Sequence, residues 1–157
     1  MTRKEQTAAR NTAFNQTCLE YRIACLKHIL SILPVPELAD TVEALEAYRD
    51  ERTDANKGRL TSIYKGLKKK MQPHGYSALG ELYEGVRVVC YSTLHPVGNI
   101  WNSDCQRFTE ARFLTGNGYK GSYRAQDEEY KFQQKLYDEM FDTFTNAWRP
   151  KPKRAAA

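Results

Sequence analysis

The stretch from Tyr48 to Tyr76, YRDERTDANKGRLTSIYKGLKKKMQPHGY, carries the two signals on which the reading of the whole chain turns. The first is spacing. Leu60, Tyr64, Leu67 and Met71 fall at i, i+4, i+7 and i+11, one face of an α-helix with about 3.6 residues per turn. The second is charge. From Ala55 to Gly80 there are six Lys and Arg side chains, Lys57, Arg59, Lys65, Lys68, Lys69 and Lys70, together with His74 and no acid. They spread over the remaining faces, with Lys57, Lys65 and Lys68 on one side and Arg59 and Lys70 towards the other. Upstream, Glu37 to Asp54 holds seven acids and two arginines, so an acidic helix precedes the basic one. Such neighbours can neutralise each other within one fold; a basic face left open suits a polyanion instead. Asp54 is expected to cap the basic helix, and Gln72-Pro73-His74-Gly75 to end it.

Towards the N-terminus, Thr2 to Leu33 reads as one long helix. Phe14, Cys18, Tyr21, Cys25, Ile29 and Ile32 share a face, and Leu26, Leu30 and Leu33 widen it in the second half. Met1 to Thr12 is polar, and these residues are expected to fray or reach outward as an arm. Pro34-Val35-Pro36 stops that helix, and Pro36 can open the acidic one, Glu37 to Glu51, whose Leu38, Val42 and Leu45 point inward.

Downstream, Ser77 opens an element in which Leu79, Leu82, Tyr83, Val86, Val89 and Cys90 satisfy a helical stripe. Residues 86–91, VRVVCY, also suit a short β-strand; helix is the reading preferred, with the strand as its alternative. His95 to Asn99 is a loop, and Trp101 beside it is an anchoring ring. A short helix from Ser103 or Asp104 to Leu114 and a long one from Ala125 to Trp148 complete the set. The last places Tyr130, Tyr137, Met140, Phe141, Phe144 and Trp148 on one face, as core or, alternatively, as the seam of a homo-oligomer. The expected fold is all-α, a compact bundle of about five helices in a single domain over residues 1–148. Residues 149–157 form a basic, proline-containing tail.

With 157 residues the chain can bury a core without disulfides or metal, and 41% hydrophobic content excludes a disordered class. The excess of 24 Lys and Arg over 19 Asp and Glu gives +5 and a pI near 9.0, which is modest for a dedicated nucleic-acid binder. Cys18, Cys25, Cys90 and Cys105 lack the density of a secreted disulfide framework and no signal peptide opens the chain, so an intracellular, cytoplasmic setting is expected. No apolar run approaches the ~18 residues of a membrane span.

Motifs with chemical content are few. Gly116-Asn117-Gly118-Tyr119-Lys120-Gly121 matches G-x-G-x-x-G, yet a helical segment precedes it where the dinucleotide fingerprint needs a strand; Asn117-Gly118 is read as a turn. Cys18 and Cys25 are seven residues apart on one helix, about 10 Å along its axis and too far to share an ion. Cys25 with His28, and Cys90 with His95, lack any sign of a positioned base. His28, at the edge of the apolar stripe, reads as a satisfied core histidine. No catalytic residue, metal site or cofactor is therefore expected.

What remains is binding. The leading expectation is a non-catalytic nucleic-acid binder using Lys57, Arg59, Lys65, Lys68, Lys69 and Lys70, helped by Lys120 and Arg124 on a loop that follows Arg112, and by Lys151, Lys153 and Arg154 of the tail. The competing expectation is a protein-interaction module, an inhibitor or scaffold such as a viral or mobile-element accessory protein. It would dock an acidic protein surface, with Trp101, Tyr119 and Tyr123 as anchors.

Overall fold

A computed structural model of the chain describes residues 1–96, 105–116 and 121–149. They form six α-helices: α1 (Arg3–Ile32), α2 (Ala39–Asp50), α3 (Asp54–Met71), α4 (Ala78–Leu94), α5 (Gln106–Phe113) and α6 (Tyr123–Ala147). Single 3-10 turns at Pro36–Leu38 and Gln72–His74 stand where proline ends one helix and leads to the next. Each helix packs on its successor, and α6 returns to α1, which also touches α4. The fold is all-α, and the described residues contain no strand. No helix among them is long and apolar enough to cross a membrane.

Caps explain most of the boundaries. The Thr2 hydroxyl accepts from the Glu5 amide at 3.1 Å while the Thr2 amide donates to the Glu5 carboxylate at 2.8 Å, a capping box that starts α1 at Arg3. Residues 3–12, where the sequence suggests an arm, are thus helical, although almost all are exposed. Thr53, not Asp54, caps α3, its hydroxyl accepting from the Asn56 amide at 3.1 Å; Asp54 occupies the first turn, where its charge still meets the positive end of the dipole. The Asn56 side-chain amide then donates to the carbonyls of Glu51, just past the end of α2, and of Ala47, which also accepts the Glu51 amide, so it fastens the start of α3 to the end of α2. Ser77 caps α4 through the Gly80 amide, as expected. Ser122 caps α6 through the Ala125 amide, so α6 begins at Tyr123, two residues earlier than its apolar pattern. Ser103 and Asp104, the expected caps of α5, lie outside the described residues.

The strand alternative at 86–91 is not adopted. These residues lie within α4, where Val86, Val89 and Cys90, at i, i+3 and i+4, are fully buried; the β-branched residues serve packing between helices rather than a sheet. Burial alone pushes the Cys90 thiol up to about 12, as expected of a buried structural cysteine.

Two other expectations about the core need correction. Ile32, assigned to the α1 stripe, is 40% exposed at the helix end, while Arg22 and Ile23 are buried. On α6 the assignment shifts further: Tyr130 is 53% exposed, whereas Glu129 and Gln133 are the helix's fully buried residues. The aromatic stripe is taken up mainly in its second half, where Phe14 of α1 meets Phe141 and Phe144 edge-on and Tyr21 meets Tyr137. The first half packs on α5 and turns a polar pair inward.

Candidate nucleic-acid interface

α3 is amphipathic in the way its sequence implies. Leu60 and Leu67 are buried, Tyr64 and Met71 partly so, and Lys57, Lys65, Lys68, Lys69 and Lys70 are exposed. The acidic helix meets only one side of it. Arg59 lies 3.4 Å from Glu43 and 3.7 Å from Asp40, exposed pairs whose worth is below about 1 kcal/mol. None of the five lysines forms an ion pair with a described residue. Many cations elsewhere are matched by carboxylates, Arg49 with Glu46 and Asp50, Arg87 with Glu84, Arg107 with Glu81, and Lys131 with Asp127, while Lys4, Arg10, Arg52, Lys135 and Arg149 are scattered cations that also lack an ion pair with a described residue; α3 is where five such cations share one helix.

Beside α3, on the antiparallel α4, Tyr91 is 50% exposed. Its ring lies 5.9 Å from that of Tyr64 and 4.8 Å from that of His95, so three rings form a row along the α3–α4 seam. This row was not legible in the chain, because its members are up to 31 residues apart and become neighbours only when α4 folds back on α3.

The remaining expected site residues do not gather here. Arg124 is exposed on the first turn of α6, not in a loop, and sits 3.4 Å from Glu128. Since α6 packs on α5 and α1, Arg124 belongs to another side of the fold. Arg112 is no phosphate ligand: its guanidinium is buried and bonded to Glu128 at 2.9 Å and Glu129 at 3.1 Å. Tyr123 lies 73% exposed on α6, its ring 5.0 Å from that of Phe113. Trp101, Tyr119, Lys120, Lys151, Lys153 and Arg154 lie outside the described residues.

The glycine motif has a structural explanation. A Cβ at Gly116 would strike the Gly121 backbone, and one at Gly121, whose φ is +50°, would strike the Phe113 ring. With the Ser122 amide donating to the Phe113 carbonyl at 2.8 Å, the glycines let the chain cross closely at the base of the α5–α6 connection. A helix precedes it, so no helix N-terminus is presented from a strand to a pyrophosphate.

His28 is satisfied in the core by a partner that the sequence does not point to. Its Nδ1 lies 2.9 Å from the fully buried Glu129 carboxylate, and its ring stacks on Phe132 at 3.6 Å. Glu129 also binds Arg112, so one carboxylate ties α1, α5 and α6 together. Between α4 and α5, a cleft of about 480 Å³ is lined by Tyr76, Glu81, Glu84, Arg87 and Arg107. Its carboxylates are occupied: Arg107 bonds Glu81 at 3.0 Å, and two Arg87 bonds at 2.7 and 2.9 Å hold the Glu84 carboxyl below its ordinary range. Bound in this way, Glu81 ties α4 to α5 and Glu84 is held within α4, and neither is a base aimed at a substrate.

No model of a known protein family, no curated protein and no solved structure matches the chain.

Proposed function

We propose that this protein is a non-catalytic nucleic-acid-binding protein whose contact surface is the outward side of α3. The pairing of the cations carries the reading. Arginines on α2, α4, α5 and α6 are held by carboxylates, whereas Lys57, Lys65, Lys68, Lys69 and Lys70 stand in solvent with no ion pair to a described residue. Lys68, Lys69 and Lys70 lie in the last turn and also complement the helix dipole. That effect falls off within one turn, so it does not account for Lys57 and Lys65. An uncompensated group of cations on one helix is where a phosphate backbone gains most, because each neutralised phosphate releases condensed counterions.

Changing Lys68, Lys69 and Lys70 together to glutamine tests the reading. Affinity for DNA and RNA should fall, and the slope of log K against log salt should drop by about 2 to 3, with sequence preference unchanged. Unchanged affinity would reduce the run to a solvated helix face.

A second reading, docking of an acidic protein partner, draws on a different observation. Tyr123 and Tyr130 are both more than half exposed and line a shallow pocket of about 420 Å³ with Thr109, Gln126 and Asp127. Large rings of this kind carry interface energy, and Tyr123→Ala should then cost ~2 kcal/mol or more of partner binding. Nuclease treatment separates the two readings: a protein partner stays bound, a nucleic acid does not.

A further inference from the structure

Resting on the nucleic-acid reading of α3, the geometry points to a single-stranded polynucleotide as the ligand, its bases stacking on Tyr91 and His95 while its phosphates follow Lys57, Lys65 and Lys68. Lys57, Thr61, Tyr64 and Lys68 stand at i, i+4, i+7 and i+11, one stripe of α3. Tyr64 lies at the boundary of this stripe with α4, in ring contact with Tyr91. The exposed lysines and the exposed aromatic rings therefore border the same seam, the lysines on one helix and the outer rings on the other. From Lys57 to Lys68 the stripe runs ~16 Å, long enough to follow the backbone of a short run of unstacked nucleotides.

Two features favour unpaired bases over a duplex. The Tyr91 ring is half exposed on a convex helix face, so a base can lie on it only if it has left its own stack. In a duplex the base faces are already occupied, and such a face would meet phosphates alone. The local charge agrees. Between Gly85 and His95 α4 has no acid, α3 has none after Asp54, and Glu84, the nearest acid along α4, is bound by Arg87.

Fluorescence anisotropy with labelled 12-mers of oligo(U), oligo(dT) and a mixed-sequence duplex, at matched salt, tests this. The wild-type chain should bind the single strands more tightly than the duplex. Tyr91→Ala should weaken single-strand binding roughly 5- to 150-fold, the range for one lost base stack, and leave duplex binding unchanged, while Tyr91→Phe retains affinity. Combined Lys57→Gln, Lys65→Gln and Lys68→Gln should weaken both ligands and lower the single-strand salt slope by about 2. His95→Ala, at the exposed end of the row, is a second probe that leaves the core untouched. Duplex binding as tight as single-strand binding, or full affinity in folded Tyr91→Ala and His95→Ala, overturns the stacking platform while the basic-face reading survives. No binding of any of the three oligonucleotides by the wild-type chain overturns both. Oligo(U) and oligo(dT) affinities distinguish RNA from DNA as the source of the strand.

Discussion

Glu129→Gln should destabilise the fold by about 3 kcal/mol, although it replaces one side chain by another of the same shape. The carboxylate has no exposed surface and lies within 2.9 Å of His28 Nδ1 and 3.1 Å of Arg112 Nη1. Breaking a buried pair from one side typically costs ~3–5 kcal/mol, because the remaining charge stays desolvated without its partner. Here the lower end applies, since Arg112 keeps Glu128 at 2.9 Å and glutamine keeps one acceptor oxygen. At ~2–4 °C per kcal/mol for a chain of this length, the melting temperature should fall by roughly 6–12 °C. Urea unfolding followed by circular dichroism at 222 nm gives the value directly, as a lower midpoint with an unchanged m. Glu128→Gln is the control, because Glu128 is 54% exposed and its pair with Arg112 is worth under about 1 kcal/mol. Equal losses in the two variants would refute the argument that burial, rather than the ion pair as such, sets the size of the effect.

Other outcomes can be checked in the same assay. Gly58→Ala and Gly66→Ala on α3 should each stabilise by ~0.5–1 kcal/mol, since a Cβ meets nothing within 4 Å at either site and alanine is the better helix former. Gly85→Ala on α4 should reverse that sign and lose ~1–3 kcal/mol, because its Cβ would come within 2.6 Å of the Phe108 ring; a stabilised Gly85→Ala would show that α5 can move aside. Hydrogen bonds from Arg87 hold the Glu84 carboxyl below its ordinary value, so the native state binds fewer protons there than the unfolded chain. Its contribution is therefore complete above the ordinary carboxylate value of about 4.3 and is lost as pH falls through the depressed one. Urea midpoints of Glu84→Gln should fall less steeply on acidification than those of the wild type, and parallel curves would contradict this.

Much of the helical frame is legible one helix at a time. The stripe Leu60, Tyr64, Leu67 and Met71, the proline stops at Pro34 and Pro73, and the Ser77 cap are local signals, and each appears in the structure close to where the sequence places it. Caps fail by one or two residues where adjacent candidates compete, as Thr53 does with Asp54, because either side chain can reach the same amides. The inward face of α6 fails for a different reason. Periodicity selects the widest apolar stripe and so selects Tyr130, but the first half of α6 faces Arg112 and His28, which make Glu129 the residue to bury.

The chain by itself determined the helices, their order and the basic character of α3, because spacing, capping and charge act within a few turns. Tertiary structure alone decided which lysines stay unpaired, that Arg112 goes inward, and that Tyr64, Tyr91 and His95 form one row. Those depend on which helix face meets which neighbour, and that is set by closing the whole ring of packed helices at once, not by any one segment.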